Sequence, residues 1–340
     1  MHLRSDFLSS RIVNRSTFCS HRQRGSSGSL VSRLSSKIMK HLLLTLTALT
    51  FLPFTHIHAE EDDGKLRIIV IGGHPDDAEY KAGGTAAKWA KLGHHVQLVS
   101  ATNGDVSNNK GTREEVAAKR KAEVEACARK LGVSSRVLDI PDGELMPDLA
   151  TRKLFVRLIR EWRADIVIGH RASDYHPDHR AVAQLIQDCS TLLTAHRYCS
   201  DVPALDAVPV FLFTSDHFTT PRPFAPDIAV GLDDVFDQKL DGLHEIASQV
   251  YGDGGINLSK SMRAAPPASD EKARRFWMKA RWSGWQRKEA FKYRDLLVEL
   301  YGEEKGRAMQ FAETFELSQY GRQPTPKELR TKLFPFFGQQ

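Results

Sequence analysis

The sequence predicts an α/β protein: a mostly parallel sheet with helices on both faces, followed by a C-terminal helical cap. Three observations carry that prediction. From residue 65 to about 250, β-rich runs alternate with helical patterns, the order that builds parallel crossover units. The first run, Leu-Arg-Ile-Ile-Val-Ile at 66–71, is almost wholly apolar, as a strand covered on both faces should be. After Tyr251 the alternation stops, and Gly252-Asp253-Gly254-Gly255 and Pro266-Pro267 mark loops ahead of helix-rich sequence.

Each element follows from local signals. Strand 66–71 ends at Gly72-Gly73, and a helix is expected over 78–92, stopped by Gly93. That helix carries Gly83 and Gly84 inside it, where each costs about 1 kcal/mol relative to Ala. Close packing of helix on sheet is the expected reason. Residues 95–101 read as a second strand, 112–131 as a long helix stopped by Gly132, 136–140 as a third strand and 149–162 as a helix. Asp-Ile-Val-Ile-Gly at 165–169 is the fourth strand, and Pro177, suited to the first helical position, opens a helix to about 193. Strands at 208–213 and 227–231 and a helix over 235–250 complete the alternating part. One further helix is expected over 270–292 and others across 295–317.

The chain divides into an N-terminal extension with a signal peptide (1–59), an α/β domain (60–250) and a helical extension packed on it (251–340). Residues 1–38 are rich in Ser and Arg, and Met39-Lys40 precede the apolar run 42–54 and the small residue Ala59. That order is a secretory signal, with cleavage expected near Ala59 and export to the periplasm or the exterior. Pro53 and His56 leave the run short of the ~20 apolar residues a membrane span needs. Met39 is an alternative start. The first 40 residues hold eight Lys/Arg against Asp6, a net of +7 within a total of +6, so the remainder carries about −1. The basic character therefore gives no reason to expect nucleic acid as a partner. Beyond the extension stand Cys127, Cys189 and Cys199, an odd number for a disulfide framework; Cys189 and Cys199 either pair after export or simply pack.

The chemistry lies in two strings about a hundred residues apart. His74-Pro75-Asp76-Asp77 follows the first strand and His176-Pro177-Asp178-His179 follows the fourth, both just past carboxyl ends, where open α/β sheets bind ligands. A lone His-Pro-Asp is an ordinary turn. Two of them, each with a second ligand-type residue at +3, read as one hydrolytic metal site. His74, Asp77 and His179 are the expected ligands of a divalent ion such as Zn²⁺, with water completing the shell; Fe²⁺, Co²⁺ or Ni²⁺ suit the same donors. Asp76 is left as general base, His176 as the acid that steadies the oxyanion and protonates the leaving amine, and Asp178 as the orienter of one histidine.

These residues resemble the PIG-L (LmbE-like) family: Ile-Ile-Val-Ile-Gly-Gly-His-Pro-Asp-Asp-Ala-Glu, with His-Pro-Asp-His downstream, over about 65–249. The resemblance implies a Rossmann-like fold and a zinc-dependent N-deacetylase acting on an acetylated amino sugar or glycoconjugate, with the roles just given. It also implies substrate contacts from Asp142, in Pro141-Asp142-Gly143, and from Arg120, in an Arg-x-x-Glu helix with Glu123. A turn and a solvated helix face are the plain readings of those two. Lys239 and Ser248-Gln249 match a late pattern of the family in which Ile246 stands where a His is often found. No Gly-x-Gly-x-x-Gly follows the first strand, which counts against a dinucleotide.

Residues 272–294 hold nine Lys/Arg against Glu289, together with Trp277, Trp282 and Trp285. An amphipathic helix packing its indoles on the domain is the favoured reading; a glycan or membrane-surface contact is the other. Two further functions compete with N-deacetylation: an esterase or deacylase on the same site, and a non-catalytic carbohydrate-binding protein whose metal orients hydroxyls. A pure binder has no use for the spare pair Asp76 and His176.

Overall fold

The computed structural model describes residues 63–107, 109–256 and 259–337. The signal peptide, its cleavage near Ala59 and the export it implies lie outside the described residues. Residues 62–340 form a compact unit, so the C-terminal extension shares the α/β domain. In chain order its elements are β1 (Arg67–Gly72), α1 (Asp77–Lys91), β2 (His95–Ser100), α2 (Arg113–Leu131), β3 (Ser134–Val137), α3 (Leu149–Trp162), β4 (Ile166–Gly169), α4 (Pro177–Cys189), β5 (Val210–Thr214), β6 (Ile228–Gly231), α5 (Phe236–His244) and α6 (Ala247–Val250). The extension then adds α7 (Lys260–Arg263), α8 (Glu271–Trp282), α9 (Gly284–Lys292), α10 (Arg294–Tyr301), α11 (Glu303–Ala308), β7 (Ala312–Leu317) and α12 (Pro326–Glu328).

The seven strands run in the order β3-β2-β1-β4-β5-β7-β6. All neighbours are parallel except β7, which lies antiparallel to both β5 and β6. Alternation along β1 divides the core into two layers. Ile68 and Val70 pack with Ala82, Ala86 and Trp89 of α1 and Val124 and Leu131 of α2. Ile69 and Ile71 pack on the other face with Phe155 and Ile159 of α3 and Val182 and Leu185 of α4. Strand order reverses between β1 and β4, so a crevice opens at their carboxyl ends. Both motif strings leave the sheet there.

Local chemistry sets the helix ends beside that crevice. Thr112 and Glu115 form a reciprocal capping box at the start of α2, and Asp148 and Thr151 do the same for α3. His176 caps α4, with Pro177 in its first turn. The glycines inside α1 answer to close packing, as expected: a Cβ on Gly84 would lie 2.8 Å from Leu232 Cδ2, and one on Gly83 3.3 Å from Leu131 Cδ1.

The structure departs from the sequence reading in five places, of which the first is the helix expected over 270–292, divided at Ser283 into α8 and α9. The stretch expected to be helical across 295–317 ends in β7, a strand inserted into the sheet, so the extension is not only a helical cap. The helix expected over 235–250 breaks at Glu245-Ile246 into α5 and α6. β3 pairs over Ser134–Val137 rather than 136–140, because the chain beyond Val137 turns toward the crevice. α4 ends at Cys189 and continues as a 3₁₀ turn over Ser190–Thr194. Cys127, Cys189 and Cys199 are free and buried, so Cys189 and Cys199 pack without pairing. Trp277 and Trp282 are half-buried against the core and Trp285 donates its indole N–H to Ser215 Oγ at 3.0 Å, which is the inward packing the sequence favoured. No helix among the described residues is long and apolar enough to cross a membrane.

Candidate metal centre and active site

Three donor atoms converge where the loops after β1 and β4 meet. His74 Nδ1 lies 3.1 Å from His179 Nε2 and 3.3 Å from Asp77 Oδ2, and His179 Nε2 lies 3.0 Å from the same carboxylate oxygen. Ligands held at about 2.0–2.1 Å around one tetrahedral ion stand about 3.3 Å apart, so the triangle has the size a single cation requires. Close backbone packing permits it. A Cβ on Gly73 would come within 2.5 Å of His179 Cδ2, so only glycine lets the ring approach β1.

The outer nitrogens are committed elsewhere, which leaves the inner ones free for a cation. His179 Nδ1 bonds Asp174 Oδ1 at 2.9 Å, and His74 Nε2 faces Asp178 Oδ2 at 3.2 Å and Asp142 Oδ1 at 3.3 Å. Asp178 is fully buried and also accepts from the backbone of Gly143 at 2.7 Å and Leu145 at 3.3 Å, tying the loop after β3 to the site. Asp178, expected to orient one histidine, is placed against His74.

Electrostatics reinforce the fit. Burial opposes a charge on His74, but the carboxylates of Asp142, Asp178 and Asp77 outweigh it and raise its pKa to about 12. Burial likewise works against His179, yet Asp77 and Asp174 lift it to about 9. Burial would raise Asp77, but His179, His170 and His74 hold it well below the usual carboxylate range. The cluster is built to stabilise positive charge.

Asp76 stands outside the triangle and lines the cavity above it. Its carboxylate meets Arg120 Nη2 at 3.2 Å, and the same nitrogen donates to Pro75 O at 2.6 Å. Desolvation pushes Asp76 up to about 6, with the guanidinium holding it from rising further. His176 Nδ1 accepts from the Asp178 backbone N–H at 3.3 Å, so the neutral ring carries its proton on Nε2. Its ring meets that of His74 edge to face, centroids 4.3 Å apart. The cavity has a volume of about 550 Å³, within the usual range for small-molecule sites. His74, Asp76, Asp77, His176, Asp142 and Arg120 all line it. Arg120 and Asp142 were expected to meet substrate; both reach the cavity, and both also brace the first motif.

Two residues escaped the sequence reading. Asp174 orients His179 from five positions upstream, in a loop that reads as a generic turn. His170 accepts the Gly73 N–H at 3.1 Å, lies 3.7 Å from Asp77 Oδ2 and stacks on His179, centroids 4.1 Å apart. Its place at the end of β4 was the available signal. Further round, the Ser248 hydroxyl and N–H bind the Glu123 carboxylate, which joins α6 to α2 at the cavity wall.

Residues 69–190 match the family profile described as PIG-L: GlcNAc-PI de-N-acetylase, and this span holds both motif strings and the whole triangle. The chain carries a PIG-L domain. Relatives of that domain include the 4-oxalmesaconate hydratase of Pseudomonas putida, 26% identical over 191 residues that cover 54% of this chain and 74% of that protein. The probable N-acetyl-alpha-D-glucosaminyl L-malate deacetylase 2 of Bacillus cereus is 27% identical over 199 residues, covering 54% and 83%. In structure, the chain is similar to the N,N'-diacetylchitobiose deacetylase of Pyrococcus horikoshii, with a TM-score of 0.57 at 19% identity over 88% of this chain and 99% of that one. That likeness extends the shared fold beyond the PIG-L domain into the C-terminal extension.

Proposed function

We propose that this protein is a metal-dependent N-deacetylase that removes an acetyl group from an acetylated amino sugar or glycoconjugate, releasing a carboxylate and a free amine. The observation that carries the reading is the triangle of His74, Asp77 and His179 donors beside an unliganded Asp76. Those three side chains would hold the cation, Zn²⁺ being the first candidate. When bound, it would polarise the amide carbonyl and acidify a water in its open position.

The chain's own residues supply the rest. Asp76 takes the proton from the attacking water, and Arg120 fixes the carboxylate in place. His176 donates its Nε2–H as a hydrogen bond to the developing oxyanion, and the proton that Asp76 took from water passes on to the departing nitrogen. Asp178 and Asp174 hold the two ligand imidazoles in the required tautomers. Asp142 offers a carboxylate to sugar hydroxyls in the polar cavity.

Hydration of a carboxylic acid is the other chemistry represented among the relatives. Charge argues against it here. Among the described residues lining the cavity, the carboxylates Asp76, Asp77 and Asp142 face one Lys or Arg side chain, Arg120, which is already set against Asp76. Beyond the metal centre itself, a substrate with several carboxylates would find little counter-charge, whereas a neutral N-acetyl sugar needs only hydrogen-bonding partners. Acetate release from a panel of N-acetyl sugars is the expected result. Water addition to an unsaturated carboxylate with no acetate release from any sugar would transfer the protein to the hydratases.

Two expectations follow at the site itself. Stripping divalent metal with a chelator should abolish acetate release, and added Zn²⁺ or Co²⁺ should restore it; hydrolysis that survives full demetallation would remove the metal from the reaction. Gly73→Ala should weaken Zn²⁺ binding about 10–100-fold by displacing His179, the size of effect typical of residues that position ligands. Equilibrium dialysis at matched protein stability measures it, and unaltered affinity would mean that His179 is not held by this contact.

A further inference from the structure

A second cavity of about 160 Å³ opens beside the metal triangle. Asp76, Asp77 and Gln249 line both it and the larger polar cavity, so both border the two motif carboxylates. Away from those three residues its character changes. Leu243, Ile246 and Val250, nearly shielded from water, form the back, and half-buried Tyr80 and Trp282 form the sides. The two rings meet edge to face with centroids 5.3 Å apart, which fixes the wall. The break between α5 and α6 places Ile246 there, and α8 of the C-terminal extension contributes Trp282.

An amide carbonyl held beside Asp76 and Asp77 carries two substituents, the amine and the acyl chain. Only one of them suits each cavity. A hydroxylated sugar amine matches the polar cavity and leaves the apolar chamber to the acyl chain. An acetyl methyl would leave most of that chamber empty, whereas an apolar cavity of about 150 Å³ accommodates benzene, a six-carbon guest.

We propose that this chamber is an acyl-chain subsite, and that the enzyme cleaves amides with acyl groups of about four to six carbons faster than acetamides. The inference rests on the N-deacetylase reading and adds its acyl specificity. The bond change is the same: water oxygen bonds to the acyl carbon, the C–N bond breaks, and the proton passes to the amine, giving a medium-chain carboxylate and an amino sugar. Each methylene that enters an apolar wall contributes about 0.8 kcal/mol, or about fourfold in kcat/KM.

Two experiments test it. In the first, N-acetyl-, N-butanoyl-, N-hexanoyl- and N-octanoyl-glucosamine are compared by release of free amine from the metal-loaded protein. kcat/KM should climb about fourfold per methylene to hexanoyl and then fall at octanoyl. Val250→Phe should bring the hexanoyl-to-acetyl ratio back toward one, and Trp282→Ala should move the fall-off to longer chains. In the second, acetate, butanoate and hexanoate are titrated into the same protein by calorimetry, and affinity should rise by the same factor per methylene whatever the amine partner. A profile that is flat or declines from acetyl onward, with carboxylate affinity independent of length, overturns the subsite and leaves N-deacetylation standing. Absence of turnover on every amide would instead dispose of the N-deacylase reading, and the carboxylate series would still decide what the chamber binds.

Discussion

Asp76→Asn is expected to lower kcat by about 10²–10⁴-fold while metal content stays at that of the parent. The substitution keeps volume, the turn after β1 and a hydrogen-bonding partner for Arg120, and removes only the ability to accept a proton from water. Because Asp76 lies outside the donor triangle, its loss should leave cation affinity close to unchanged. Desolvation sets this carboxyl at about 6, close enough to neutrality for a base that must be ionised in the resting enzyme and protonated in passing. His179→Ala separates the two roles, because it should lose activity and metal together. Metal analysis and single-turnover acetate release on the same preparations measure both. Parent-like kcat in Asp76→Asn would assign the base elsewhere, and loss of metal would make Asp76 a ligand.

Arg120 connects that result to the fold. The guanidinium is buried, and its Nη2 bridges Pro75 O and Asp76 Oδ2 from the middle of α2. In the sequence, an Arg-x-x-Glu spacing on a helix is indistinguishable from a solvated face. Its partners come from a loop some 45 residues upstream, and only packing of α2 beside α1 brings them together. His74, Asp77 and His179 were legible for the opposite reason. His74 and Asp77 lie two and five residues past the end of β1, and His179 lies in the first turn of the helix after β4; both strands have unmistakable apolar runs, so local sequence alone placed both strings at one edge of the sheet. Asp174 and His170 lie on the same edge but lack a motif, since orienting an imidazole needs only a carboxylate or a backbone N–H at the right distance.

β7 was hidden by a similar limit. Ala-Glu-Thr-Phe-Glu-Leu places Glu313 and Glu316 at a spacing that suits an exposed helical face, and buried carboxylates are rare without partners. Both are buried here because partners exist far away in sequence: Arg222 for Glu316, and Lys239 with Gly84 and Thr85 for Glu313. The strand fills the gap between β5 and β6, and the extension becomes part of the sheet. The same arrangement brings Trp282 beside Asp76 and Asp77, where a domain ending at residue 250 would have left the small chamber open on that side.

Glu313→Ala should destabilise the domain by about 3–5 kcal/mol, a large share of the 5–15 kcal/mol typical of folded domains. The carboxylate accepts from Gly84 N at 2.9 Å, from Thr85 N at 2.7 Å and from the Thr85 hydroxyl, and it pairs with the Lys239 ammonium, which also donates to Tyr80 O at 2.6 Å. Lys239 is 1% exposed, so removal of its partner strands a positive charge in the core together with two backbone N–H groups of α1. The loss should reach the site as well, because those bonds grip α1 two turns below Asp77, the residue that opens the helix and supplies a carboxylate to the metal triangle. Denaturant unfolding measures the first effect and metal affinity the second. Adding Lys239→Met to Glu313→Ala should recover part of the stability, since the stranded charge is gone while the unpaired amides remain. A single substitution costing less than about 1 kcal/mol would mean that water replaces the carboxylate, and that α1 is held on the sheet by its apolar face alone.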